Sequence, residues 1–256
     1  MNNLKFDALP QLAIGSHSSQ SGRACIMNAI SWLEGDRDIT DMPSCVWPPL
    51  AMIAQSLNDN ICTVGHHGRQ VSIEKVQLHN GDEGACTVTL LCPACTHKMW
   101  MFGTRLIGSS GTNLQLAQIE EIGQRFLTRA VDLIEDQGGC ELVTSGMRAM
   151  LAGEGTAGDL QALWHRHLAE HTDGHIDDNA SYVASCMIQM SEEPPGSPIW
   201  LEELASAVRI GADFEDPYPY FTDLVDIFEE VAFFLATPPT PQEVREMAEK
   251  AKLVYV

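Results

Sequence analysis

The sequence predicts an α+β fold, mostly helical, with a small antiparallel sheet at about 61–108. Three observations predict it. Apolar residues recur at three- and four-residue intervals over most of the chain, which marks amphipathic helices. Between Ile61 and Gly108 that rhythm gives way to short β-branched or aromatic runs separated by polar or Gly-rich turns. Gly108-Ser-Ser-Gly111 then forms a joint before a long helical pattern. The expected organisation is helices plus sheet over 1–110 and an acidic helical region over 111–256, as two domains or one continuous body.

The first helix is expected from about Gly22 to Leu33, where Cys25, Ile26, Ala29, Ile30 and Leu33 share a face and Gly35 follows as a stop. A second follows Pro48-Pro49, since proline fits the first helical turn, where a missing N–H costs nothing. Four strands are expected at Ile61–Val64, Val71–Leu78, Ala85–Cys92 and Met99–Ile107, with Asn80–Gly84 as a hairpin loop. Residues 113–136 read as a long helix stopped by Gly138-Gly139. Further helices are expected near 144–152, 158–171, 179–190, 198–209, 222–236 and 241–252. Thr240-Pro241 with Glu243 is a well-formed start for the last. The 222–236 segment is too apolar to be exposed on all sides.

Composition and charge narrow the function classes. The 256 residues are 45% hydrophobic and 20% charged, as in ordinary globular proteins. No apolar run approaches the ~20 residues that span a bilayer. The first ten residues lack a basic region followed by an apolar stretch, so a cytoplasmic protein is expected. The formal charge is −20, unevenly spread: residues 1–128 carry 8 Lys and Arg against 11 Asp and Glu, residues 129–256 carry 7 against 24. The second half repels phosphate backbones, which disfavours direct nucleic-acid binding there and suits a basic protein partner.

Eight cysteines without an export signal read as thiols or metal ligands rather than disulfides. Cys25, Cys45, Cys140 and Cys186 stand alone and are expected as buried core thiols. Cys92-Pro-Ala-Cys95 is the informative pair. A tight Cys-x-x-Cys turn aims two sulfurs at one point, which supplies half of a tetrahedral zinc site. Taken as a turn between two strands, it lacks the following helix that a thioredoxin-like redox pair opens. Residues 88–102 resemble one arm of a zinc ribbon. Cys62-Thr-Val-Gly-His66 is the candidate second ligand pair, with His67, His79, Cys86 and His97 as substitutes. Metal-free thiols and a redox pair stay open as alternatives. Four protein ligands would leave no open position, so such a zinc is structural.

Two other constellations could carry chemistry. His167-Leu-Ala-Glu170-His171 matches the inverted zinc-peptidase pattern, in which two His bind the metal and the Glu activates water. The bland reading is a solvated helix end. Cys25 lies at a helix start, where the dipole and free N–H groups favour thiolate. This segment resembles papain-like peptidases, a resemblance that casts Gln20 as oxyanion donor and His79 as base. The Gln spacing is one residue short of that pattern and no Trp follows the Cys. Gly153-Glu-Gly155-Thr-Ala-Gly158 has phosphate-loop spacing but no preceding strand, so it reads as a loop.

Gly15-Ser-His17, Cys25-Ile-Met27-Asn-Ala29, Gly35 and Pro43-Ser-Cys45-Val-Trp-Pro48 resemble the N-terminal block of uncharacterised proteins from actinobacteria and their phages. Asn28 replaces the Glu usual in that block. The resemblance implies a bacterial or phage source and an approach of His17, Cys25 and Cys45, and it carries no activity. The expected function is a non-enzymatic, zinc-stapled interaction protein whose acidic helices contact a protein, such as a host defence or nucleic-acid enzyme. The alternative is a hydrolase, of thiol type at Cys25 or metal-dependent at His167, Glu170 and His171.

Overall fold

The computed structural model describes residues 11–15, 23–34, 40–62, 69–77, 83–170, 179–213 and 215–234, with 242, 243 and 246. The chain divides into two compact units. One comprises residues 1–112, 215–221 and 235–256; the other comprises 113–214 and 222–234. Glu215–Phe221, though late in the sequence, belongs with the first unit.

The first unit begins with two short parallel strands, β1 (Gln11–Leu12) and β2 (Arg23–Ala24). Helices α1 (Ile26–Glu34) and α2 (Pro48–Asn60) follow. Then come β3 (Arg69–Gln77), β4 (Glu83–Leu90) and helix α3 (Pro93–Leu106). Strands β3 and β4 pair antiparallel from Arg69 opposite Leu90 to Gln77 opposite Glu83, with a register shift between Glu74 and Val76. Ala13 bridges Leu90, and the Leu91 N–H donates to the Leu12 carbonyl at 3.0 Å. Buried Asn58 clamps this junction. Its side chain donates to the Ala13 carbonyl at 2.8 Å and accepts from the Ile26 N–H at 3.2 Å.

The sheet expected over 61–108 is corrected here. Ile61 and Cys62 form the turn that ends α2, with the Ile61 N–H on the Leu57 carbonyl. Residues 63 and 64 lie outside the described residues. Met99–Ile107, expected as a strand, falls almost wholly within α3. Its aromatic content suggested a strand. However, buried Cys95, Met99, Phe102 and Leu106 recur every three or four residues, and Pro93 is pre-set for a first helical turn. What remains is a two-stranded hairpin in a mainly helical protein.

Helices α1, α2 and α3 enclose a core of Ile26, Ile30, Leu50, Leu57, Trp100 and Phe102. A Cβ on Gly103 would stand 2.4 Å from Ile26 Cγ1, so only glycine lets α3 approach α1 this closely. The start of α2 is tied to the end of α3. The Trp47 N–H donates to Ser109 Oγ at 2.8 Å, and the Gly108 N–H donates to the Cys45 carbonyl at 2.9 Å.

The second unit contains α4 (Leu116–Asp136), α5 (Glu141–Leu151), α6 (Ala157–Glu170), α7 (Asn179–Ser191) and α8 (Pro198–Val208). It also takes all but the first turn of α9 (Tyr218–Ala232). Gln115 and Gln118 cap α4 reciprocally, and Gly138, at φ +74°, follows its end. The core is Ile122, Phe126, Ala130, Val143, Leu204 and Phe228. Arg125 pairs with Glu230 at 2.6 Å, Arg129 with Asp223 at 3.0 Å, and Arg148 with Glu135 at 2.7 Å and with Asp132. The apolar face of α9 is buried through Leu224, Val225 and Phe228. The 241–252 helix lies almost wholly outside the described residues. No described helix is long and apolar enough to cross a membrane.

Candidate metal centre

Three thiols converge in the first unit. Cys62 stands just beyond α2, Cys92 is the N-cap of α3, and Cys95 lies in its first turn. The hairpin between them returns the chain so that residues 30 positions apart meet: the Cys92 N–H donates to Cys62 Sγ at 3.4 Å. The Cys95 N–H donates to Cys92 Sγ at 3.4 Å, and the Cys95 thiol donates to the Ile61 carbonyl at 3.3 Å. All three sulfurs lie within 4.8 Å of one another, close enough to hold a metal ion. Cys62 and Cys95 are buried and Cys92 is half-buried.

The donor set fits a soft, thiophilic ion. Zn–S bonds of about 2.3 Å place tetrahedral thiolates about 3.8 Å apart, so these sulfurs need close by no more than about 1 Å. Backbone N–H groups already point at two of them, which favours the thiolate. Burial raises the Cys62 thiol above its ordinary pKa. Burial, then the neighbouring Cys92 and Cys62 thiols, push Cys95 well above it. Burial also acts upward on Cys92, but hydrogen bonds from the Cys95 N–H and from both neighbouring thiols outweigh it and lower its pKa. The three thiols share one small space, so one proton is held more loosely than the other two.

Cys92-Pro-Ala-Cys95 opens a helix, so the lack of a following helix no longer counts against dithiol chemistry. Among the substitute ligands, His97 is exposed on α3. Cys86 lies in β4, and its side chain is outside the described residues, as are His66, His67 and His79.

The other candidates separate. Cys25 precedes α1 and is 2% exposed. Its thiol donates to Asn28 Oδ1 at 3.1 Å, and its sulfur accepts from the Asn28 N–H at 3.4 Å. Burial pushes this thiol up to about 11, so the hydrogen bonds at the helix start do not make it a ready nucleophile. Gln20, His79 and His17 lie outside the described residues. Cys186 is buried, as expected, but Cys45 and Cys140 are only half-buried.

His167 is 4% exposed and turned inward, with Nδ1 3.2 Å from Cys140 Sγ, whereas Glu170 is exposed. His171 lies outside the described residues. The Cys140–His167 contact joins residues 27 positions apart across α5 and α6, and no local motif announces it. Asn58 is a second buried polar residue that belongs to no motif. Its only sequence signal is an amide one residue after Leu57, at the end of an apolar helix face.

No family model, curated protein or solved structure matches this chain.

Proposed function

We propose that this chain is a non-enzymatic interaction protein of bacterial or phage origin. In this reading a structural zinc ion staples its first unit, and the acidic helices of its second unit engage a protein partner. The observation that carries the metal is the meeting of Cys62 with Cys92 and Cys95 across the hairpin. His66, four residues after Cys62, is the proposed fourth ligand. The zinc would supply cross-linking alone, because four protein ligands leave no position for water or substrate. The chain's own residues position it. The α3 N-terminus presents Cys92 and Cys95, and the turn after α2 presents Cys62.

The partner side rests on charge. The second unit holds 5 Arg, no Lys, and 21 Asp and Glu, a net of −16. A basic protein surface complements it, as on an enzyme that handles nucleic acid or defends the host cell. Elemental analysis of the purified protein tests the metal: about one zinc per chain, lost in Cys62→Ser and retained in His171→Ala. Unchanged zinc in Cys62→Ser would sink the site. Affinity capture from the source cell tests the partner, and repeated capture of nothing basic counts against it.

One observation favours a second reading of the same residues. A Cys-x-x-Cys that opens a helix, with the exposed-side thiol more acidic than the buried one, is the arrangement of a redox dithiol. Cys92 and Cys95 would pass two electrons and two protons to a partner disulfide and become a disulfide themselves. Cys62 separates the readings, because zinc binding needs it and a two-cysteine exchange does not.

A further inference from the structure

Within the second unit a groove of about 500 Å³ opens between α4, α7, the end of α5 and the start of α8. Leu127, Met187, Met190 and Trp200 form its buried floor, and the half-buried Met150 and Leu151 flank it. Its volume falls within the usual range of ligand clefts, about 300–1,000 Å³. The walls are held in place. Gln124 Nε2 donates to the Leu151 carbonyl at 2.9 Å, Ser197 Oγ caps α8 by accepting the Trp200 N–H at 3.2 Å, and Gly123 leaves room for the Trp200 ring against α4.

Two features select an occupant. Methionine side chains are unbranched and polarisable, so a methionine-lined groove adapts to varied apolar side chains. The charged residues in the lining, Glu120 and Glu193, are both acidic. The surrounding unit has a net charge of −16, and three of its five arginines are engaged in ion pairs.

We infer that this groove receives the apolar face of a basic amphipathic helix from a partner protein. Anchors three and four residues apart would enter among the methionines, and flanking Lys or Arg would meet Glu120 and Glu193. The inference rests on the reading of the second unit as an acidic protein-binding surface. A small apolar ligand would fill the same space without needing the carboxylates.

Titration of the full chain with a Leu–Lys amphipathic peptide of about 18 residues, long enough to be helical, tests this. A Leu–Glu peptide of the same pattern is the control, and ¹³C-methyl methionine spectra report the site. Expected are saturable shifts at Met150, Met187 and Met190 with the Leu–Lys peptide alone. Glu120→Lys with Glu193→Lys should weaken binding at least tenfold. Asp136→Lys with Glu170→Lys makes the same change in net charge at exposed positions outside the groove, and should weaken it less than threefold. Equal loss in both pairs, with still methionine methyls, overturns the groove and leaves the acidic-surface reading standing. Equal binding of both peptides overturns the charge selection and leaves a purely apolar cleft. No binding of either peptide overturns both the groove and the surface reading.

Discussion

Cys62 and Cys92 are joined by a backbone-to-side-chain hydrogen bond, the Cys92 N–H donating to the Cys62 sulfur at 3.4 Å across a 30-residue excursion through the hairpin. The contact sets the first turn of α3 against the end of α2 and brings Cys95 to the same point. If zinc occupies that point, the metal and the fold are linked, because binding energy at a site absent from the unfolded chain is folding energy. We expect Cys92→Ser to lose its zinc, and a strong chelator to lower the wild-type melting temperature by roughly 10 °C or more. Thermal melts paired with elemental analysis check this. A melting temperature indifferent to the chelator would contradict a structural metal.

Asn58 joins β1 to the start of α1 with two hydrogen bonds, and both of its backbone partners belong to fully buried residues. Asn58→Ala leaves a buried carbonyl and a buried N–H unsatisfied. It should cost about 2–4 kcal/mol in urea unfolding. A loss below about 1 kcal/mol would mean the two groups find other partners.

Gly103 is a packing device. Its substitution by Ala sets a methyl 2.4 Å from Ile26 Cγ1 and 2.8 Å from Cδ1, which should destabilise the protein by about 1–3 kcal/mol. In an Ile26→Ala background those atoms are gone and only Ile30 Cδ1, at 3.1 Å, stays tight, so most of the cost of Gly103→Ala should disappear. A double-mutant cycle measures the coupling, and simple additivity would refute the contact.

Burial holds two thiols protonated well past their ordinary range, Cys25 up to about 11 and Cys186 up to about 12. The unfolded chain releases these protons near pH 9, so stability is complete below that pH. It falls as pH rises through 9 toward 11 and 12. Cys25→Ala should remove about 2–3 kcal/mol of the alkaline loss. Denaturant midpoints measured from pH 8 to 11 report it. An unchanged slope in the variant would place the Cys25 thiol in contact with water.

Much of this was legible along the chain. The helices after Gly111 follow their apolar periods closely, because a helix that buries one face must repeat that face every three or four residues. Pro48-Pro49 marks the start of α2 for an equally local reason. The ligand candidates Cys62, Cys92 and Cys95 were also legible, since cysteine types at short spacings carry metal chemistry wherever they fall. Helix α3 was legible only in part: Pro93 and the Cys95, Met99, Phe102, Leu106 period fit a helix, the run Met99 to Phe102 fits a strand equally well, and packing against α1 and α2 favours the helix.

The sequence by itself determined the helical periods, the −17 carried by residues 129–256 and the presence of a Cys-x-x-Cys pair. These are properties of neighbouring residues or of sums. Only the tertiary structure decided that Cys62 meets that pair, that His167 turns inward to Cys140 while Glu170 stays in solvent, and that three methionines share one groove. Each of those joins side chains from different elements. Their meeting depends on how buried faces pack rather than on any local preference, so no spacing rule along the chain encodes it.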